Sequence, residues 1–402
     1  MATVFFAWEL GTGLGHVTQI APLANALVRR GHTVYAALRE LKSANGFFDA
    51  GVHLLGAPHL GRALRSPRPT RSFADILADL TFGDDNVLAA HARAWRSLYR
   101  LARPHVMVFD HSPTALLASR GAPARRVVLG NGFIAPPGIS PFPPLRPLPD
   151  AQRLDLTTLE AQLLARVNQS LCGWRQQPLE SPAQLYSQVD QTLLTTFAEL
   201  DPYVGLRPAD TTYLGPVNAS GGHPPQWPDG AGKKVYAYLS PFPALPALLR
   251  FLAGRQAPTV AFIPGMDERS RRRFSSPTLR LESKPLDVRR AARECDAAVL
   301  NGNGGTAAAA VLLAGRPSLH FPLYFEHAVN ARCVERLGAG RSCAPGDPSK
   351  AVENLRDFLG SDAYTVGAEA FARRYAAFDA NRQHEEMLGA LLKVIEKGQP
   401  GG

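Results

Sequence analysis

Cysteine is scarce in this 402-residue chain, and long uninterrupted apolar runs are missing. The four cysteines, Cys172, Cys295, Cys333 and Cys343, form no C-x-x-C pair and have no histidine at metal-ligand spacing, which argues against a zinc site or a disulfide scaffold. No run of about 18 apolar residues could span a bilayer. The opening residues, MATVFFAWELGTG, lack the basic and long apolar segments of a signal peptide. We therefore expect a cytoplasmic protein with free thiols and no transmembrane segment.

Dense runs of like charge are also rare, although the chain is basic. It has 44 Lys and Arg residues against 34 Asp and Glu residues, a net charge of +10. The densest cluster, Arg269 with Arg271, Arg272 and Arg273, has no interleaved aromatic residues. This composition favours a solvated loop over a nucleic-acid surface, so we expect no nucleic-acid partner.

The length and the 45% hydrophobic content favour two domains, since a single core rarely grows to this size. No internal repeat of solenoid period is visible. Both halves begin with alternating strand and helix patterns, which is typical of two Rossmann-like domains.

The clearest motif is a strand followed by a glycine-rich turn and a helix. Ala297 to Leu300 is a short apolar run of the kind that forms a buried parallel strand. The sequence NGNGG follows it, and an Ala-rich helix is predicted from Thr306 to about Ala314, ended by Gly315. Small residues before a helix N-terminus let a phosphate or diphosphate approach the free N–H groups. An ordinary tight turn would have the same composition.

The amino-terminal segment has a similar plan. Thr3 to Trp8 is predicted as a strand, ELGTGLG as a loop, His16 to Arg30 as an amphipathic helix and Thr33 to Leu38 as the next strand. The glycines do not make a dinucleotide fingerprint, because His16 stands where its third glycine is required. A histidine at a helix start is suited to general-base chemistry, although it could also merely cap or pack there.

An acid that could orient His16 ends another predicted strand. The run from Pro104 to Asp110 is apolar and ends in a carboxylate, and strand ends of a parallel sheet lie at one edge. His111 is the alternative partner. Successive residues leaving a strand point to opposite sides, and we prefer Asp110.

These two motifs together resemble the family-1 glycosyltransferases of GT-B fold, the group that includes the UDP-glycosyltransferases and the antibiotic glycosyltransferases. The amino-terminal match comprises Gly15, His16, Val17, Pro22, Leu27, Arg30, Gly31, His32 and Val34. The carboxyl-terminal match comprises Asn301, Gly302, Asn303, Gly304, Gly305, Thr306, Gly315, Pro317, Pro322, Glu326, His327, Asn330 and Ala331.

The resemblance implies an α/β protein of GT-B fold, in which two Rossmann-like domains have parallel sheets facing across a cleft. It divides the chain into an acceptor domain (1–217), a linker (218–233), a nucleotide-sugar domain (234–380) and a final helix (381–402) that returns to the first domain. The implied activity is the inverting transfer of a hexose from a UDP or dTDP sugar to a hydroxyl of a small-molecule acceptor. The family uses no metal and no cofactor for this reaction.

The resemblance also implies roles for individual residues. His16 would be the catalytic base, oriented by Asp110. The other implied contacts are Asn301, Gly302, Gly304, Gly305 and Thr306 with the donor diphosphate, Glu326 and His327 with the donor sugar, and Gly15, Ser240 and Asn330 near the site. The proline-rich run from Ala135 to Pro149 occupies the place of an acceptor loop, so Phe133 and Phe142 are candidates for an acceptor pocket, unless the run is a plain surface loop.

Four positions depart from the family pattern. Asn301 stands in place of its histidine, Asn303 in place of a glycine, and Glu326 with His327 in place of Asp-Gln. An amide can donate a hydrogen bond to a phosphate, but it cannot carry the positive charge of an imidazolium. Two alternatives therefore stay open: an inactive nucleotide-sugar-binding or auxiliary protein, and a nucleotide-sugar epimerase of the same fold.

Overall fold

The computed structural model describes residues 1–11, 13–42, 44–61, 69–217, 221–302 and 304–398. These residues form two compact units. The first comprises Met1–Ala198, Tyr203–Val217 and the carboxyl-terminal segment from Ala380, and the second comprises Glu199–Pro202 and the chain from Asn218 to Asp379. Three residues of the expected linker (218–220), Asn303 of the glycine-rich turn and the last four residues lie outside the described residues.

The first unit is built on a six-stranded parallel sheet with the strand order β3-β2-β1-β4-β5-β6. Its strands are β1 (Thr3–Trp8), β2 (Thr33–Leu38), β3 (Val52–Gly56), β4 (Val106–Asp110), β5 (Arg125–Gly130) and β6 (Gln191–Leu194). Alternate residues of β1 contribute to two separate hydrophobic cores: Val4 and Phe6 belong to one core, and Phe5 and Ala7 belong to the other. Burial on both faces explains why the central strands β1 and β4 read as nearly continuous apolar runs.

Helices cover both faces of this sheet. They are α1 (Leu14–Arg29), α2 (Phe73–Ala78), α3 (Asp85–Ala102), α4 (Pro113–Ala118), α5 (Asp150–Gly173), α6 (Gln184–Ser187) and α14 (Ala380–Gly398). The last helix packs in the same core as α1, where Leu388 and Leu391 lie among Val4, Ile20 and Leu23. Gln383 also donates a hydrogen bond to the carbonyl of Gly215, at 3.0 Å. The carboxyl-terminal segment is therefore part of the first unit.

The second unit repeats this plan. Its strands are β7 (Val235–Tyr238), β8 (Thr259–Phe262), β9 (Leu279–Glu282), β10 (Ala297–Leu300), β11 (Ser318–His320) and β12 (Gly340–Ser342). Their order is β12-β11-β10-β7-β8-β9, and all neighbours are parallel. Its helices are α7 (Leu245–Gly254), α8 (Glu268–Phe274), α9 (Val288–Glu294), α10 (Ala309–Leu313), α11 (Phe325–Arg336), α12 (Pro348–Gly360) and α13 (Thr365–Arg374).

Counted within each unit, the two strand orders are identical, with the first and fourth strands adjacent at the centre. This is the doubly wound Rossmann arrangement, in which strand carboxyl ends at the reversal point form the usual binding crevice. The predicted fold class of two Rossmann-like units with parallel sheets is confirmed. In both units the motif residues found in the sequence follow a central strand.

The structure corrects two local details of the predictions. The arginine cluster lies on the short exposed helix α8 instead of a loop, because Asp267 caps its first turn and Glu268 pairs with Arg271 and Arg272. The helix predicted from Thr306 to Ala314 begins as a π-helical turn, Gly304–Ala308, and becomes α-helical only at Ala309. Two glycines in succession weaken the α-helical preference at that point.

The proline-rich run has no helix or strand, as its composition predicts. It is nevertheless tied to the helices beside it. The backbone N–H of Phe142 donates to the carboxyl of Glu160 on α5, at 2.6 Å, and the N–H of Leu145 donates to the carbonyl of Arg71, at 2.9 Å. The run is therefore a packed part of the first unit. Over the described part of the chain, we find no helix both long and apolar enough for a membrane crossing.

Candidate active site

His16 and Asp110 meet at the carboxyl end of the first sheet. Nδ1 of His16 lies 3.0 Å from Oδ1 of Asp110, whose side chain is 1% exposed, against 17% for His16. His16 is in the first turn of α1, the helix that follows β1. Asp110 is the last residue of β4, the strand beside β1 in the sheet. A carboxylate can only accept here, and the proton of a neutral imidazole must then lie on Nδ1. Nε2 is left as the basic nitrogen.

Trp8 and His111 pack beside the His16 ring. The Trp8 and His16 ring centroids are 4.9 Å apart with planes within 21°, and the His111 ring is 6.2 Å away with planes within 26°. His111, the alternative partner considered for His16, is buried, and burial lowers its pKa to about 3. A neutral His111 cannot supply the negative charge that a carboxylate offers to the base. Asp110 is the residue that contacts Nδ1.

Gly11 adjoins the Nε2 edge of the His16 ring. Its φ is +82°, a conformation that glycine adopts without strain, and a Cβ built on it would lie 2.4 Å from Nε2 of His16. The loop between β1 and α1 therefore needs glycine at this position for two reasons. The backbone conformation excludes most side chains, and the basic nitrogen of His16 occupies the space. Gly15, which we predicted near the site, lies in the first turn of α1, where its carbonyl accepts a bond from the Thr18 hydroxyl at 3.1 Å.

A buried carboxyl follows Trp8. Glu9 is fully buried, and its Oε2 accepts backbone N–H bonds from Thr114 at 2.9 Å and Ala115 at 3.3 Å. Burial raises its pKa to about 7, against the opposing effect of these bonds and of Arg39. The Arg39 guanidinium donates to the Glu9 carbonyl at 3.0 Å. Glu9 thus fixes the end of β1 to the start of α4.

Asn301 ties together three strand ends in the second unit. The N–H of Ser240 donates to its Oδ1 at 2.6 Å, and its Nδ2 donates to the carbonyl of Phe321 at 2.9 Å. These residues follow β7, β10 and β11, and Asn301 itself is 0% exposed. Both ends of the Asn301 amide therefore bond to the protein backbone and stabilise the turn. Its direct contact with a diphosphate stays a prediction, and Ser240 contributes its backbone instead of its hydroxyl to this arrangement.

The turn after Asn301 is packed against the start of α11. Gly302 has φ +93°, and a Cβ there would lie 2.4 Å from the carbonyl oxygen of His327. Asn330 donates from Nδ2 to the Gly302 carbonyl at 3.3 Å. Close packing of backbone on backbone is possible here only for glycine. Gly302 and Asn330, both predicted on the resemblance, therefore join the turn to α11.

The remaining donor residues flank this junction. Gly304, Gly305 and Thr306 form the π-helical turn that leads into α10. Glu326 lies in the first turn of α11. The structure places these positions beside the turn, and their contacts with a donor stay predictions.

His327 is held as a neutral imidazole. Burial lowers its pKa to about 4, and its Nδ1 accepts a long bond of 3.5 Å from the Leu323 N–H. The ring can then donate from Nε2, as the amide of a glutamine would. Tyr324, which is 64% exposed, lies 4.7 Å away between ring centroids.

The two candidate acceptor residues are buried. Phe142 packs against Phe73 and Tyr186, with ring centroids 5.6 Å and 6.4 Å away, and Phe133 is 5% exposed. Both contribute to the core of the first unit in this conformation. Their part in acceptor binding stays a prediction.

Sequence reasoning missed Trp8, Gly11 and Glu9. Trp8 could have been found, because it ends β1 and parallel strand ends share one edge, but the stacking itself depends on where α1 begins. Among the described residues, no group of three or more His, Cys, Asp or Glu side chains is arranged to hold a metal ion.

No protein-family model matches the chain, and no curated protein matches it. Solved structures do. The calicheamicin glycosyltransferase CalG4 superposes with a TM-score of 0.69 at 17% identity, over 99% of each chain. The glycosyltransferase VinC, in complex with dTDP, has a TM-score of 0.66 at 16% identity, over 99% of this chain and 100% of its own. The rhamnosyltransferase SpnG, in complex with the spinosyn aglycone, has a TM-score of 0.61 at 18% identity, over 98% and 100%.

At these identities the likeness shows the fold. The chain has the GT-B fold with its two Rossmann-like domains, as the resemblance of the two motifs predicts.

Proposed function

We propose that this protein is an inverting glycosyltransferase that moves a hexose from a UDP or dTDP sugar to a hydroxyl of a small-molecule acceptor. The observation that carries the proposal is the 3.0 Å contact between Nδ1 of His16 and the buried Asp110 carboxylate. A histidine held in this way has its basic nitrogen directed away from its carboxylate partner. The fold shared with CalG4, VinC and SpnG supports the same conclusion.

The chemistry follows from that pair. As the acceptor oxygen bonds to the anomeric carbon, the bond from that carbon to the diphosphate breaks, and the acceptor proton passes to Nε2 of His16. Attack from the face opposite the leaving group inverts the anomeric centre. Asp110 stabilises the imidazolium that forms, and a neighbouring base of this kind contributes a factor of about 10² to 10⁴.

In this proposal, the second unit binds the donor. The backbone N–H groups of the turn around Gly304, Gly305 and Thr306 hold the diphosphate, and charge-assisted hydrogen bonds of this kind contribute about 1.5–3 kcal/mol each. Glu326 accepts from sugar hydroxyls, and the neutral His327 donates to one. The bonds from the backbone N–H groups stabilise the leaving diphosphate without requiring a metal or a cofactor.

The binding-only alternative takes its support from the changed donor motif. The retained contact between His16 and Asp110 favours transfer, because a protein that only binds nucleotide sugars needs no oriented base. The epimerase alternative would need carboxylates around the sugar, and Glu326 is the only carboxylate between Asn301 and Ala331.

Product analysis tests the proposal. The purified protein is first screened by thermal shift against UDP, dTDP and GDP, since a ligand at about 100 times its dissociation constant adds roughly 2.7 kcal/mol of apparent stability. The sugar of the best nucleotide is then supplied with and without hydroxyl-bearing acceptors. We expect an acceptor-dependent product of inverted anomeric configuration. Retained configuration or acceptor-independent conversion of the donor would contradict the proposal, and binding without any conversion would favour the auxiliary protein.

A further inference from the structure

The indole of Trp8 is held in place by contacts other than the one with His16. Trp8 is 0% exposed, and its indole N–H donates to the carbonyl of Leu10 at 2.6 Å. The ring is therefore held at both its apolar body and its polar edge. His16 lies on its face, with ring centroids 4.9 Å apart and planes within 21°.

This contact affects the two protonation states of His16 differently. A neutral imidazole gains packing from the indole, whereas an imidazolium is also attracted by the negative face of the aromatic ring, and tryptophan is the strongest partner of this kind. Under the proposed function, His16 becomes positively charged during the transfer. The attraction is then stronger in the transition state than in the ground state, which is the condition for a contribution to rate.

Other ionisable groups lie near the same ring. Asp110 bonds to Nδ1, and His111, on the turn after β4, is kept neutral by burial, which lowers its pKa to about 3. Glu9 directs Oε2 to the backbone of α4, and Arg39 donates to the Glu9 carbonyl. Helix α1 carries no charged residue before its last, Arg29. Of these groups, the Asp110 carboxylate favours the protonated ring, and the face of the Trp8 indole favours it as well.

We propose that Trp8 is a positioning residue for the base: its indole holds the His16 ring parallel to itself and stabilises the imidazolium that proton transfer creates. The role extends the proposed function by one residue outside the motif, and it rests on that function for its effect on turnover. Its effect on protonation of His16 does not depend on any substrate.

The test uses NMR to compare the titration of the His16 ring in the wild type and in three variants, Trp8→Phe, Trp8→Leu and Trp95→Leu. Trp8→Phe keeps an aromatic face of weaker attraction, and Trp8→Leu keeps only apolar volume. Trp95→Leu is the matched control, because Trp95 is equally buried and belongs to the same unit but packs in the other core, against Phe5 and Tyr99. His16→Gln assigns the resonance.

We expect the titration midpoint of His16 to fall by about 0.5 to 1 pH unit in Trp8→Leu, to lie in between in Trp8→Phe, and to stay unchanged in Trp95→Leu. In transfer assays the rising limb of the pH profile of kcat/KM should move by the same amount, with the KM for the donor unchanged. If Trp8→Leu does not fold, the Trp8→Phe shift alone decides.

An unchanged midpoint in both Trp8 variants, or an equal fall in Trp95→Leu, would overturn the proposal. A shifted midpoint without any transfer by the wild type would leave the ring contact in place and refute the proposed function instead. The two failures are therefore distinguishable.

Discussion

Trp8 and Asp110 are register neighbours on adjacent parallel strands, β1 and β4, and both contact His16. Side chains paired in this way leave the sheet on the same face, which here is the face that α1 covers. The base is thus held on its ring face by one strand end and at Nδ1 by the next. A shift of either strand by one residue would turn its group to the opposite face.

Replacement of Gly11 by alanine should lower the turnover of the transfer reaction by more than its loss of stability explains. The added Cβ would lie 2.4 Å from Nε2 of His16, so the base must move, and the φ of +82° adds a backbone cost of about 1–2 kcal/mol. Gly31→Ala is the matched control: its φ is +81°, and no described atom lies within 4 Å of the added Cβ. We expect similar losses of stability by chemical denaturation but a selective loss of turnover, of at least about a hundredfold, in Gly11→Ala. Equal turnover in the two variants would show that Nε2 is not needed.

Asn301→Asp should weaken nucleotide binding. The substitution keeps the acceptor for the Ser240 N–H but places an oxygen where Nδ2 now donates to Phe321, so two acceptors would face each other at about the present 2.9 Å. A buried group left without its partner costs about 1–3 kcal/mol. Calorimetry with the preferred nucleoside diphosphate should show a weaker affinity.

Asn168→Asp provides the comparison for that experiment. Asn168 likewise bonds with both ends of its amide to a backbone, that of Leu179, at 2.9 Å and 2.8 Å, but it lies in the first unit. It should lose stability without loss of nucleotide affinity. An equal effect of both variants on affinity would mean that Asn301 acts only through general stability.

Glu9→Gln should change how stability depends on pH. Burial raises the pKa of Glu9 to about 7 from 4.5, so between these values the folded protein holds a proton that the unfolded chain releases. The stability contributed by the protonated carboxyl is complete below about pH 4.5 and is lost as pH rises through about 7, to a limit of roughly 3 kcal/mol. The variant should therefore be stabilised relative to wild type at pH 8 more than at pH 5.

Urea denaturation at the two pH values measures this difference. Glu385→Gln, at an exposed position of α14, is the control and should leave the pH dependence unchanged. If the Glu9 variant loses as much stability between pH 5 and pH 8 as wild type does, the buried carboxyl is not the group that titrates.

The sequence predicted those parts of the fold that local patterning determines. The bounds of β1, β2 and β10 agree with the apolar runs that predicted them, because each run is closed by a glycine or a polar turn. Strand β5 was not predicted, since it begins with Arg125 and Arg126 and only its last four residues are buried. The long helix α5 was missed because its apolar pattern is weak. Its buried residues lie at helical spacing, but one of them is Glu160, and Leu154 lies on the exposed side.

Part of the candidate site was likewise predictable from the sequence, and part was not. His16 and Asp110 could be paired from the sequence because each stands at the end of a recognisable element. The stacking of Trp8 and the space filled by His16 beside Gly11 depend on the angle at which the loop enters α1, which no local pattern records. The same holds for Asn301: its position in the motif predicted a ligand contact, while the fold uses both ends of its amide in bonds to the backbone.

The central claim is that His16 is the base of a glycosyl transfer, and the turnover and donor affinity of His16→Ala test it most directly. His32→Ala is the matched control, because His32 lies between α1 and β2, away from the carboxyl end of the sheet. We predict that His16→Ala binds the nucleotide donor as tightly as wild type and transfers the sugar at least about a hundredfold more slowly, while His32→Ala transfers at a nearly normal rate. Near-normal transfer by His16→Ala would contradict the assignment of the base.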